Sequence, residues 1–142
     1  MMGADDAGEG TVGSIGARSR ARLVLVVDDE PKAAELVGAL LELQGHRVIT
    51  ACEPVEALRL AALLKPEIAF LDIGLPKMSG FELADAIRTL PGMSACRFVA
   101  ITGFDDSDEE RRSRICGFED RLLKPIAMET LARAVLGVAF GT

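Results

Sequence analysis

Short apolar runs rich in β-branched residues alternate with longer segments of helical period from Arg22 onward. Each run is bounded by charged residues, Gly or Pro, as strands commonly are. The runs predict five strands, at Leu23 to Val27, Arg47 to Thr50, Ile68 to Leu71, Phe98 to Ile101 and Arg121 to Leu123. The remaining periodic segments predict helices at about 32–44, 54–64, 80–90, 108–116 and 127–138.

Two of these helices carry start signals of the same kind. Ser79 precedes Glu82 by three residues, and Ser107 precedes Glu110 by the same spacing. In a capping box the serine hydroxyl and the glutamate carboxylate each accept a hydrogen bond from an otherwise unpaired backbone N–H. We therefore predict a capping box at the start of the third helix and another at the start of the fourth.

The regular alternation of strand and helix predicts an α/β fold with a parallel sheet, because parallel strands need a long crossover, usually a helix. Right-handed crossovers then place helices on both faces of a doubly wound five-stranded sheet. The third strand, Ile68 to Leu71, is continuously apolar, so we expect it at the centre in the order 2-1-3-4-5. Such sheets bind ligands at the carboxyl ends of their strands.

Charged and polar residues follow four of the predicted strands directly. Asp28 and Asp29 follow the first strand, Asp72 the third, Thr102 the fourth, and Lys124 the fifth. Adjacent carboxylates repel one another unless a cation lies between them, and oxygen ligands suit Mg²⁺. A metal, an ammonium and a hydroxyl around one carboxylate would neutralise the oxygens of a phosphoryl group arriving there. Asp72 is then the predicted nucleophile.

Length and charge limit the other possibilities. A chain of 142 residues with 49% apolar residues accommodates one ordinary domain. The net charge is −6, with no basic run interleaved with aromatic residues, so we expect no nucleic-acid surface. The apolar stretches are too short to span a membrane. Residues 1–20 contain few large apolar groups and are predicted to be a flexible tail, which leaves residues 21–140 as the folded domain.

The cysteines and the histidine fit a protein without further sites. Cys52, Cys96 and Cys116 are odd in number and widely spaced, which predicts buried free thiols in a reducing compartment, here the cytoplasm. His46 is the only histidine and has no acidic or cysteine cluster beside it in sequence. We interpret His46 as a spacer or surface residue.

Four motifs together resemble a known family. They are VVDDE at 26–30, LDIGLPKMSG at 71–80, ITG at 101–103 and LKP at 123–125. In this order, each at the end of a predicted strand, they resemble the receiver domains of response regulators in two-component signalling. The resemblance covers about residues 21–140. The tract from Gly117 to Pro125 is similar to receivers attached to hybrid kinases.

This resemblance implies a role for each residue of the site. Asp72 would accept a phosphoryl group from a phosphohistidine of a histidine kinase or histidine phosphotransfer protein. Asp29 and Asp72 would bind Mg²⁺ directly, Asp28 would do so through water, and the backbone carbonyl of Gly74 would add a ligand. The protein would catalyse only its own phosphorylation and dephosphorylation, and so would not otherwise be an enzyme.

The resemblance also implies a switch. Lys124 would pair with one phosphoryl oxygen, and Thr102 would move to hydrogen-bond another, pulling its loop inward. The small Gly103 would leave the phosphate accessible, and the peptide between Lys124 and Pro125 would be cis. No room remains after the fifth helix for an output domain, so we expect output through contact with a downstream protein target.

Two departures from the family pattern concern the switch and the lifetime of the phosphoryl group. Arg121 stands where many receivers carry Tyr, Phe or His, and we hypothesise that Arg121 makes a polar or charge-based contact instead. The positions two after Asp72 and two after Thr102 are Gly74 and Phe104. Neither side chain can hydrogen-bond an attacking water, which predicts slow self-hydrolysis.

Other functions remain to be weighed against this one. A pseudo-receiver that binds partners without phosphorylation would be expected to lack one of the acids or the lysine, and none is lacking. Phosphatases with an aspartyl-phosphate intermediate resemble D-x-D, whereas Gly74 occupies the second position here. A flavin carrier would need a phosphate-binding loop after the first strand, where the acidic residues would repel phosphate. A stand-alone regulator, a relay shuttle and the receiver of a hybrid kinase all fit the sequence.

Overall fold

The computed structural model describes residues 20–104 and 106–137, in which five strands and five helices alternate. The strands are β1 Leu23–Val27, β2 Arg47–Ala51, β3 Ile68–Asp72, β4 Arg97–Thr102 and β5 Asp120–Leu123. The helices are α1 Pro31–Leu43, α2 Pro54–Leu64, α3 Gly80–Arg88, α4 Ser107–Ile115 and α5 Met128–Leu136. Each predicted element is present, with ends within about two residues of those expected. The predicted tail lies outside the described residues except for Arg20.

All five strands are parallel and lie in the predicted order β2-β1-β3-β4-β5. β3 is central, and all five of its residues are buried. The register pairs Val27 with Leu71 and Asp72 with Ile101. The strands therefore end level with one another, and the residues that follow them meet at one rim of the sheet.

Side chains alternate between two cores, one on each face of the sheet. Along β1, Leu25 and Val27 point to the core beneath α2 and α3, whereas Val24 and Val26 point to the core beneath α1 and α5. Full burial of such a side chain contributes about 1.5–3 kcal/mol. The two cores confirm the prediction that helices pack on both faces of the sheet.

No helix among residues 20–104 and 106–137 is long and apolar enough to cross a bilayer.

One predicted capping box is confirmed and the other is wrong. At the start of α3, Ser79 Oγ accepts from the Glu82 N–H at 3.2 Å, and Glu82 Oε1 accepts from the Ser79 N–H at 3.0 Å. At the start of α4 the N-cap is Asp106, whose Oδ1 accepts from the Asp108 N–H at 2.9 Å. The acidic run offers a charged acceptor one residue before Ser107, and a charged acceptor makes the stronger cap.

His46 is not a surface residue, one of the two alternatives given for it, because 6% of its surface is exposed. His46 Nδ1 accepts a hydrogen bond from the Arg22 N–H at 3.1 Å, at the entry to β1. The residue therefore satisfies a backbone donor at the edge of the core. The three cysteines are free, as predicted, but each is half-buried rather than buried.

We predict that acid weakens the fold through His46. Burial lowers the pKa of His46 below 6.5, and the charge of Arg22 lowers it further. A depressed folded pKa gives a stability contribution that is fully present above the unfolded pKa and is lost as the pH falls through the folded value. Because the chain has one histidine, its ring protons report the titration directly by NMR. A measured pKa at or above 6.5 would contradict this account.

Candidate functional site

The five residues predicted to form the site lie together at the carboxyl rim of the sheet. Asp28 and Asp29 follow β1, Asp72 and Thr102 end β3 and β4, and Lys124 follows β5. The Lys124 N–H donates to the Thr102 carbonyl at 2.8 Å, which fixes the two residues side by side. Asp28, Asp72 and Thr102 are buried, and Asp29 is exposed. The rim thus combines buried acids with one solvent-facing acid.

The three aspartates form a compact cluster of oxygen ligands. One carboxylate oxygen from each of Asp28, Asp29 and Asp72 lies within 4.8 Å of the others. Two of these carboxylates are also held by backbone donors: Asp28 Oδ1 accepts from the Glu30 N–H at 3.0 Å, and Asp72 Oδ1 accepts from the Gly74 N–H at 2.9 Å. An all-oxygen, strongly anionic cluster open on one side fits a hard divalent cation such as Mg²⁺.

Lys124 is the cation that contacts two of these carboxylates. Its Nζ lies 2.8 Å from Asp28 Oδ2 and 3.7 Å from Asp72 Oδ2. Burial by itself would lower the pKa of Lys124, but the hydrogen bond to Asp28 and the charge of Asp72 raise it above its usual value. The ammonium is therefore charged at neutral pH. The peptide that joins Lys124 to Pro125 is cis, as predicted.

The surroundings of Asp72 disfavour its charged form. Its pKa is raised to about 6, chiefly by burial; the hydrogen bond from Gly74 acts to lower it, and the charge of Asp28 acts to raise it. Lys124 offsets part of this repulsion from 3.7 Å away. The site therefore holds a negative charge that a further cation would stabilise.

Gly80 is a residue of the site that the sequence analysis did not assign. A Cβ on Gly80 would lie 2.7 Å from the Asp72 carbonyl oxygen and 2.9 Å from Ile73 Cα, closer than real atoms approach. The Gly80 N–H also donates to the Ile73 carbonyl at 3.1 Å. The start of α3 is thus pressed against the backbone of the predicted nucleophile. The sequence did contain a signal for this contact. Gly80 is the first residue of a predicted helix, a position where a residue with a side chain would normally fit.

Arg121 makes the polar contacts that we hypothesised. Its Nη1 donates to the Phe104 carbonyl at 3.0 Å and lies 3.4 Å from Glu109 Oε1 on α4. Phe104 in turn donates its N–H to Thr102 Oγ1 at 3.1 Å. Only 6% of the Arg121 side chain is exposed. Glu109 is a contact that sequence spacing did not indicate.

Sequence comparison places these features in a known family. Residues 24–136 match the family described as the response regulator receiver domain. The Mycobacterium tuberculosis transcriptional regulatory protein KdpE is 37% identical over 112 residues, which are 78% of this chain and 48% of KdpE. Protein PilH of Pseudomonas aeruginosa is 30% identical over 118 residues, 83% of this chain and 98% of PilH. The chain thus spans about half the length of KdpE and nearly all of PilH.

Solved structures agree with this match. The Vibrio cholerae chemotaxis protein CheY4 superposes with a TM-score of 0.77 at 26% identity, covering 82% of this chain and 98% of CheY4.

A kinase is also among the relatives in sequence. The sensor histidine kinase AruS of Pseudomonas aeruginosa is 37% identical over 114 residues, which are 79% of this chain and 11% of AruS. The chain belongs to the response regulator receiver domain family of two-component systems, with a CheY-like fold.

We predict that Asp72→Asn stabilises the metal-free protein at neutral pH by about 1–3 kcal/mol. The folded pKa of Asp72, about 6, exceeds the ordinary value of 3.8. The protonated carboxyl therefore stabilises the fold fully below pH 3.8, and this contribution is lost as the pH rises through about 6. The uncharged amide keeps the shape without the buried charge.

Denaturant unfolding of the parent and Asp72→Asn measures this difference, with Asp29→Asn, which removes an exposed charge from the same cluster, as the control. We expect the smaller gain from Asp29→Asn. Added Mg²⁺ should narrow the gap by stabilising the parent. An Asp72→Asn protein less stable than the parent without metal would contradict the account.

Proposed function

We propose that this chain is a phosphoacceptor receiver in which Asp72 takes a phosphoryl group from a phosphohistidine of a histidine kinase or histidine phosphotransfer protein. The observation that carries the proposal is the cluster of three carboxylates within 4.8 Å, with the Lys124 ammonium contacting two of them. Family membership supports the same reading. Phosphorylation then alters binding to a downstream protein target.

The transfer needs a nucleophile and a means of neutralising charge. A carboxylate oxygen of Asp72 attacks phosphorus, a new O–P bond forms, and the P–N bond to the donor imidazole breaks with its electron pair returning to nitrogen. Lys124, whose Nζ lies 3.7 Å from Asp72 Oδ2, would pair with a phosphoryl oxygen. Its contact with Asp28 keeps the ammonium at the rim before transfer.

Four groups would hold Mg²⁺: the carboxylates of Asp28, Asp29 and Asp72 and the backbone carbonyl of Gly74. When bound, the ion would offset the negative charge that accumulates on the phosphoryl oxygens. Asp29, the exposed member of the cluster, leaves one side of the site open to solvent and to a partner protein.

The three free thiols support a reducing, cytoplasmic location for the protein.

Thr102 is the group that we propose responds to phosphorylation. Its side chain is buried at the end of β4, and its hydroxyl is engaged with the Phe104 backbone rather than with an acid. A phosphoryl oxygen on Asp72 would be a charged acceptor for that hydroxyl, and charge-assisted hydrogen bonds are about twice as strong as neutral ones. The hydroxyl now donates to the Phe104 carbonyl at 3.5 Å, and it would donate to the phosphoryl oxygen instead.

Intact mass after incubation with Mg²⁺ and acetyl phosphate tests the proposed function. We expect one added phosphoryl group that is labile to hydroxylamine, and none in Asp72→Asn or in metal-free protein. Asp29→Asn should raise the Mg²⁺ concentration required, because it removes one ligand charge. No addition with acetyl phosphate or with several phosphorylated histidine proteins would instead favour a receiver that binds partners without phosphorylation.

We predict that Gly74→Asn shortens the lifetime of the phosphorylated protein severalfold. The amide would supply a group able to orient an attacking water, which Gly74 and the largely exposed phenyl ring of Phe104 cannot do. A Cβ at Gly74 would lie 3.7 Å from Asp72 Oδ1, an ordinary contact, so the substitution fits.

Loss of the added mass with time, after removal of acetyl phosphate, measures the lifetime. Gly74→Ala is the matched control, because it adds the Cβ without the amide, and it should decay like the parent. If Gly74→Asn decays no faster than Gly74→Ala, the lifetime is set by another feature of the site.

A further inference from the structure

A cleft of about 350 Å³ opens at the amino end of the sheet, opposite the rim that carries Asp72. It lies between the start of β1 and the loops that precede β3 and β4. Among the described residues that line it, four are basic and one is acidic: Arg20, Arg22, Lys65, Arg97 and Glu67. The cleft is therefore locally basic in a chain whose net charge is −6.

Arg97 is engaged on its other side and forms part of the wall. Its Nε donates to the Glu119 carboxylate at 2.8 Å. Its Nη1 and Nη2 each donate at 2.9 Å to a carbonyl near the end of α5. With Arg97 paired in this way, three cations of the cleft remain against one carboxylate.

Glu67 is the anion that the cleft already contains. Arg20 Nη2 donates to Glu67 Oε1 at 2.7 Å, and Arg22 Nη1 lies 3.4 Å from the same oxygen. The hydrogen bond from Arg20 lowers the pKa of Glu67, so this carboxylate is charged at neutral pH. One negative charge is thus shared by two guanidinium groups.

Arg22 is poorly compensated for a residue whose side chain is 23% exposed. Within the described part of the chain its guanidinium makes one hydrogen bond, the 3.4 Å contact with Glu67. Its Nε is buried and has no hydrogen-bond partner among the same residues. A buried polar group without a protein partner commonly marks a bound water or ion.

Lys65 adds a third positive charge that no described carboxylate pairs with. Its Nζ donates to the Pro91 carbonyl at 2.8 Å and to the Ala62 carbonyl at 3.4 Å. Both acceptors are neutral, so they orient the ammonium without cancelling its charge. Arg20, Arg22 and Lys65 together therefore exceed the charge of Glu67 by two.

We propose that this cleft binds a small phosphate monoester, whose phosphate is held by Arg20, Arg22 and Lys65 and competes with Glu67 for the two arginines. A phosphate monoester carries close to two negative charges near neutral pH and offers three acceptor oxygens. Charge-assisted hydrogen bonds from guanidinium groups to phosphate are strong and directional. A dianion thus matches the unbalanced charge of the cleft better than a single carboxylate does.

The body of the ligand would lie against the apolar part of the wall, formed by Pro66, Met93 and Ala95. A volume of about 350 Å³ is at the lower end of the range of small-molecule pockets, which begins near about 300 Å³. The body is therefore compact. This site does not depend on the proposed phosphorylation of Asp72, which lies at the other end of β3.

Calorimetric titration of the full chain with glycerol phosphate tests the site, in EDTA so that no Mg²⁺ recruits phosphate to the carboxyl rim. Sodium chloride at the same ionic strength controls for screening of charge. Lys65→Gln removes one cation of the cleft, and Glu67→Gln removes the competing carboxylate. Lys32→Gln is the matched control, because it removes the same charge as Lys65→Gln from an exposed position on α1 outside the cleft.

His46 reports where the ligand binds. Burial first, and then the charge of Arg22, lower the pKa of His46, whose ring accepts the Arg22 N–H. An anion that neutralises Arg22 should therefore raise the pKa of His46. NMR of the single histidine ring measures this pKa with and without glycerol phosphate, and the ligand-free spectrum of each variant checks its fold.

We expect saturable binding to the parent, with an increase in the pKa of His46 that sodium chloride does not reproduce. Lys65→Gln should bind severalfold more weakly, Glu67→Gln severalfold more tightly, and Lys32→Gln as the parent does. Absence of saturable binding, or binding that leaves the pKa of His46 unchanged, would overturn the proposal. Equal affinities of Lys65→Gln and Lys32→Gln would overturn it as well, and this comparison decides even if Glu67→Gln fails to fold.

Discussion

Electrostatic repulsion among Asp28, Asp29 and Asp72 is the constraint around which the carboxyl rim of the sheet is built. Left alone, three carboxylates within 4.8 Å would move apart, and the parallel register of β1 and β3 prevents this. Lys124 and two backbone N–H groups offset part of the cost. Burial first, and then the remaining repulsion, raise the pKa of Asp72 to about 6, so a cation at the rim would stabilise its carboxylate.

The rigidity needed to hold those charges comes from the two apolar cores. β3 is buried along its whole length, and α3 presses Gly80 against the backbone of Asp72 with no space for a side chain. The backbone of Asp72 therefore has no room to move towards α3. α4 is attached differently: Ser113 is its one buried residue, and Glu109 on this helix pairs with Arg121 of β5.

Sequence periodicity was sufficient for the elements and their order, because hydrophobic period and crossover handedness are local or general properties. Prediction from the sequence failed where more than one residue could cap the same helix. The acidic run before α4 contains more than one competent cap, and Asp106 takes the role expected of Ser107. It also failed for His46, whose burial depends on the Arg22 N–H, 24 residues earlier in the chain.

The sequence by itself determined the fold class and the chemical character of the rim, because the acids, the threonine and the lysine directly follow or end their strands and parallel strands end together. Only the tertiary structure decided which charges meet. It placed Lys124 closer to Asp28 than to Asp72, and it joined Arg121 to Phe104 and Glu109, partners 17 and 12 residues away. The reason is physical: a strand end is encoded locally, whereas a contact between side chains depends on how separate elements pack in space.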